Sequence, residues 1–296
     1  MNRLFTVLIC AVLSGCSITA NQARKEAQID VKWPIYKIEK DNNFMYLLGT
    51  IHIGKEEMYP FPKKIGQALK ESKYLVTETD ATGIMDGDYQ QSVNKEMYFL
   101  KEDESLNDFL SKGAEGILKQ RAEEYNLDYQ SLQKYQLWFV MSLFLSAGID
   151  ELSADYGVDK KITELADTHY VPNKYLETPK YQIEAMRKVY TEKDADQVIK
   201  QIPTLQESQR QLWQLYSDYI QGKFDEQVDQ PDDDFDYKQN KILVEDRNKI
   251  WVEKFESYIG SGDIYFVAVG VGHLEGESGI LATFKKNGFV VKKISE

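Results

Sequence analysis

Two of the three histidines in this 296-residue sequence share one local pattern. His52 closes "YLLGTIH" and His273 closes "YFVAVGVGH", each three residues after a glycine, Gly49 and Gly270. Each ends an apolar run that reads as a strand. A glycine there lets the backbone bend, or approach another group closely, as the strand leaves its sheet. Gly272, directly before His273, belongs to the same turn. A third run, "YLVTETD", ends in carboxylates; alternation puts Glu78 and Asp80 on one face and Thr77 and Thr79 on the other. Two imidazoles and a carboxylate from three strand ends make a ligand set for a divalent metal with open coordination positions. The competing reading makes each histidine an ordinary hydrogen-bonded residue at a strand end. His169, in "ITELADTHY", has no such setting and reads as a helix-end residue.

These residues meet only if the strands lie side by side. Segments 33–39 and 44–51 read as strands joined by Lys40-Asp41-Asn42-Asn43, good chemistry for a β-hairpin. "PKKIGQALKESK" reads as a helix and 74–80 as a buried strand, so strand, helix and strand suggest a parallel βαβ unit. From about 84 to 260 the pattern is mainly helical, broken by a short strand in "VPNKYLET". Leu137–Ile149 is strongly apolar but too short to span a bilayer, so a buried helix is expected. "DIYFVAVGVGH", "SGILATFKKNG" and "FVVKKIS" read as strand, helix and strand. The expected fold class is α/β: a mixed, largely parallel sheet built from N- and C-terminal segments around a large central helical insertion. In such sheets ligands sit beyond the carboxyl ends of the strands, where His52 and His273 fall.

The first residues read as a targeting segment. A short positive start and an apolar stretch of about ten residues end in "LSGC". This resembles a bacterial lipoprotein signal: residues 1–15 would be cleaved and Cys16 lipidated, with 16–32 a flexible tether to a domain over 33–296. Ser17 after Cys16 favours the outer membrane, facing the periplasm. Cys10 and Cys16 are the only cysteines, so the body of the chain has no disulfide option and depends on its core. The formal net charge of −12 argues against nucleic acid as a partner. The acidic run from Asp225 to Asp236 contains no glycine for a calcium-loop turn and reads as a solvated loop.

"LLGTIHIG", "PFPKKIGQALKESKYLVTETD", "GVDKKITELA", "YLETPKYQ", "EDRNKIW" and "VAVGVGHLEGESGILATFKKNGFVVKKI" occur in that order. Over 33–296 the chain resembles the TraB/GumN superfamily, which includes the pheromone-shutdown proteins and the animal Tiki proteases. The resemblance implies a core related to the erythromycin-esterase and ChaN-like proteins, and a catalytic set of His52, His273 and Glu78. It implies a divalent cofactor as in Tiki proteases, manganese, cobalt or zinc. Tyr175 departs from the family, where a glycine is common. Glu177 is expected either to orient a ligand histidine or to complement the helix dipole before "PKYQIEAM". Gln182 would orient or face solvent. Arg247 and Asn248 would project over the site, Arg247 for a substrate carboxylate or oxyanion, or else in an ion pair.

The expected function is a metal-dependent hydrolase acting on peptides or proteins. His52 and His273 would bind the metal; Glu78 would be the third ligand or the general base, with Asp80 a second candidate for that base. The rival readings are an envelope-anchored binding protein that captures peptide or haem without catalysis, and an assembly factor with a vestigial pocket.

Overall fold

The computed structural model describes residues 28–80, 97–149, 151–224 and 234–294. The stretch read as a signal segment, Cys16, most of the expected tether and residues 225–233 lie outside them.

Six strands form one sheet in the order β4-β3-β5-β2-β1-β6, where β1 is Ile35–Lys40, β2 Asn43–Thr50, β3 Tyr74–Thr77, β4 Asn173–Tyr175, β5 Tyr265–Gly270 and β6 Val290–Lys293. The β4–β3, β3–β5 and β5–β2 pairings are parallel; β1 runs antiparallel to both β2 and β6. The mixed, largely parallel sheet expected from the sequence is therefore present. Asp41 and Asn42 both take positive φ, the backbone a tight two-residue hairpin needs, so the β1–β2 turn follows directly from its residue types. Every residue of β5 is buried, as expected for a central parallel strand read from a continuous apolar run.

One expectation fails at β3. The strand ends at Thr77, not Asp80, so alternation does not carry Glu78 and Asp80 onto one face. The chain turns instead, and main-chain bonds from Leu176 to Thr77 and from Glu177 to Glu78 continue its pairing with the β4 segment.

Helices cover both faces of the sheet. On one face α1 (Lys63–Glu71) and the helices Val158–Thr168 and Leu205–Gln221 close a core with Leu48, Leu75 and Phe266. On the other, Asp246–Gly260 and Ile280–Lys286 pack Trp251, Phe255 and Phe284 against Leu47, Val76 and Val267. Sequence alternation along β2, β3 and β5 feeds both cores. The helical insertion has its own core, in which Leu118, Trp138, Phe144, Val189 and Ile199 meet. Leu137–Ala147 is the expected buried helix; no described helix is long and apolar enough to cross a membrane.

The end of the acidic run is also corrected. Asp234–Asn240 is helical, with Phe235 and Asp236 buried rather than solvated. That helix runs through a π-helical stretch, Lys241–Glu245, into Asp246–Gly260. Leu243 of the π stretch belongs to the insertion core and Trp251 to the sheet core, so one continuous helix joins the two.

Candidate active site

Strand register brings the three corners together. Thr50 pairs with Gly270 across β2 and β5, and Thr77 pairs with Ala268 across β3 and β5. Adjacent strands lie about 4.8 Å apart, so His52, Glu78 and the turn after Gly270 leave the sheet at neighbouring points of one edge. The Gly270 N–H donates to Glu78 Oε1 at 2.8 Å. A Cβ on Gly270 would stand 3.2 Å from that oxygen, which gives the glycine before His273 a concrete purpose: it admits a carboxylate to the backbone. Gly49 serves packing instead, with Leu274, Pro34 and Val271 at 3.0–3.1 Å from where its Cβ would lie. Gly272 sits inside the short 3-10 turn Val271–His273.

Beneath Glu78 lies a buried polar layer. Arg247 Nη2 donates to Glu78 Oε2 at 2.7 Å and to Glu177 Oε2 at 3.0 Å; Arg247 Nε donates to both oxygens of Glu177 at 3.0 and 3.1 Å. Trp251 Nε1 donates to Glu177 Oε1 at 2.9 Å, and the guanidinium carbon lies 4.5 Å over the Trp251 ring. Glu177 thus orients Arg247, a role the sequence reading did not assign to it. Gln182 Nε2 reaches Glu78 Oε2 at a long 3.4 Å. The π-helical stretch helps build this layer: it precedes Arg247 by one turn, and the Leu243 carbonyl within it accepts Arg247 Nη1 at 2.9 Å. Asn248, next along the helix, bonds the His273 ring and main chain.

Exposure divides the site into two levels. The side chains of Arg247 and Glu177 are each 4% exposed and His273 is 1% exposed, whereas His52, Glu78 and Asp159 keep 19%, 17% and 23% of their side-chain surface. The groups open to a reactant are therefore His52, Glu78 and Asp159.

Asp159 carries a role that the sequence reading did not assign. Its Oδ1 lies 3.0 Å from His52 Nδ1. The helix Val158–Thr168 reaches the β2 corner because Gly157 has no side chain: a Cβ there would stand 2.6 Å from the His52 carbonyl oxygen. Val158 N–H donates to Ile51 O at 2.7 Å and locks the approach. The signal was present in Gly157-Val158-Asp159, a glycine two residues before an acid at a helix start. Asp80, by contrast, is not with Glu78; its charge and hydrogen bond act on the Tyr175 hydroxyl at the end of β4.

Charge follows this geometry. Burial opposes ionisation of Glu78, but Arg247, the two histidines and the Gly270 N–H outweigh it and hold the carboxyl at about 2. Burial and Arg247 push His273 down to about 3, so it is neutral. Burial also disfavours a charged His52, yet Asp159 and Glu78 overcome it and raise the imidazole above its ordinary value.

The TraB/PrgY/gumN family model matches residues 34–293, nearly the whole described chain. The chain belongs to the TraB/PrgY/gumN family. Two curated relatives are similar: the uncharacterized protein YbaP of Escherichia coli K12 and its namesake in Shigella flexneri, each 23% identical over 251 residues, covering 84% of this chain and 90% of the relative. No solved structure matches. In this family member, the divalent cation implied by the resemblance meets a specific obstacle. A cation shared by His52, Glu78 and His273 would have to sit where Arg247 bonds both Glu78 and the His273 Nε2 atom. As arranged, these three residues do not fit it. Among the described residues no group of three or more His, Cys, Asp or Glu side chains is disposed to hold a metal ion.

Proposed function

We propose that this protein is a hydrolase of carbonyl compounds, with peptides as the leading substrate class, in which His52 is the general base and Asp159 its orienting partner. The observation that carries the reading is the 3.0 Å contact from Asp159 to His52 Nδ1 at the open level of the site. A proton on Nδ1, the ring nitrogen nearest that carboxylate, would leave Nε2 to take a proton from a water molecule. Asp159 holds the tautomer and stabilises the imidazolium that forms. Glu78 is a poor proton acceptor at neutral pH because Arg247 and Gly270 hold it ionised. Its place beside His52 suits it to a positive or proton-donating group of the substrate, such as the scissile amide N–H or an amine.

The test is cleavage of a peptide library by the full chain, with and without chelator. The expected result is cleavage that survives chelation and is lost by a factor of about 100 or more in His52→Ala. Activity abolished by chelation and restored by manganese or cobalt would replace this reading with the metal-dependent form that the family resemblance implies. An intense visible band on haem titration without cleavage of any peptide would favour ligand capture.

Envelope anchoring through Cys16 is part of the same proposal and rests on "LSGC". Labelled palmitate incorporated by the wild type and absent from Cys16→Ser is the expected outcome; labelling of both would refute it.

A further inference from the structure

His273 has both ring nitrogens engaged by residues that leave no choice of tautomer. Nδ1 lies 2.7 Å from Asn248 Oδ1 and Nε2 lies 3.2 Å from Arg247 Nη1. The Asn248 amide cannot turn over, because its nitrogen donates to the His273 and Ser278 carbonyls, both at 3.1 Å. Its oxygen therefore faces the ring. An amide oxygen only accepts, so the proton is on Nδ1; a guanidinium only donates, so Nε2 presents a lone pair.

This bond completes a full set. The five N–H groups of Arg247 go to Glu177 from Nε, to Leu243 O and His273 from Nη1, and to Glu78 and Glu177 from Nη2. Trp251 packs against both ends of the bond, 4.4 Å from the His273 ring centre and 4.5 Å below the guanidinium. If His273 gave its lone pair to a metal ion, one buried N–H of Arg247 would lose its acceptor, and two cations would face each other.

We infer that His273 is a positioning residue, a neutral Nδ1–H imidazole fixed by Asn248 that aims Arg247 at Glu78, and neither a metal ligand nor a proton carrier. The neutral state agrees with the burial of the ring beside a fixed positive charge. Only the consequence for activity rests on the hydrolase reading; the tautomer does not.

Two measurements decide it. The first is nitrogen NMR of the imidazole rings in the full chain, assigned by elimination with His52→Ala and His169→Ala. His273 is expected as a pure Nδ1–H ring at neutral pH, unmoved by zinc chloride. An Nε2–H ring, an imidazolium, or signals that move with zinc would overturn the inference, whether or not the protein cleaves peptides. The second is rescue. A glutamine side chain can place an amide oxygen near the Nε2 position, so His273→Gln is expected to recover at least tenfold of the cleavage lost in His273→Ala. Equal loss in the two variants would overturn the inference, because a ligand or proton carrier is not replaced by an amide.

Discussion

Arg247 takes a full positive charge into a layer that is almost closed to water, where Glu177 beside it and the more open Glu78 above it balance the charge. Removing one member of such a buried set leaves an uncompensated charge, at a cost of about 3–5 kcal/mol. Arg247→Met is accordingly expected to lose about 3–5 kcal/mol in urea unfolding; a loss under 1 kcal/mol would mean that the layer is hydrated. The same residues set a response to acid. Glu78 is held at about 2, below its ordinary 4.5, so its contribution to stability is complete above the higher value and lost as pH falls through the lower. His273 is held at about 3 against an ordinary 6.5. Between these values the unfolded chain binds the extra proton, so stability again declines as pH falls. His52 works the other way: its imidazole is raised, and its contribution is lost as pH rises through the folded-state value. The urea midpoint should therefore fall steadily from pH 6.5 to pH 4, and His273→Gln should flatten that slope; equal slopes in the two proteins would contradict the assignment. At this scale the sequence singled out His52 and His273 because glycine before histidine at a strand end is a rare local pattern, and Glu78 because it follows the next apolar run. It did not disclose Asp159, since an acid in the first turn of a helix is commonly there for the dipole.

The elements succeed by letting backbones touch. Gly157 brings the helix Val158–Thr168 against the β2 corner, and Asp159 follows from that contact. A methyl group 2.6 Å from a carbonyl oxygen cannot be accommodated without moving the helix end. Gly157→Ala is expected to cost about 1–3 kcal/mol and to reduce cleavage by loosening the Asp159–His52 contact. Wild-type stability and rate in this variant would show that the helix end shifts freely. The strands and the β1–β2 turn were legible from apolar runs and turn residues, but the order of the strands in the sheet was not. The end of β3 was not, because Thr77-Glu78-Thr79-Asp80 alternates as a strand should while tertiary bonds to Leu176 and Glu177 turn it away. Nor was the π-helical stretch, since "KILVE" carries no residue that separates a π turn from an α turn.

Over the whole molecule, a sheet with two covered faces carries the candidate site at one edge, while the insertion has a core of its own. The helix from Asp234 to Gly260 spans both, with Arg247 and Asn248 just beyond its π turn. The sequence indicated this division by strands at both ends of the chain and helices between, but not that one helix would serve both cores. With every part of the site supplied by a different segment, only the intact chain can test it. The decisive measurement is the pH dependence of peptide cleavage, in chelator, for the wild type and Asp159→Asn. The wild-type rate should rise with pH as His52 loses its proton, and the rise in the variant should lie at lower pH because the carboxylate that raises the imidazole is gone. Profiles that superimpose at equal rates would contradict a His52 base set by Asp159.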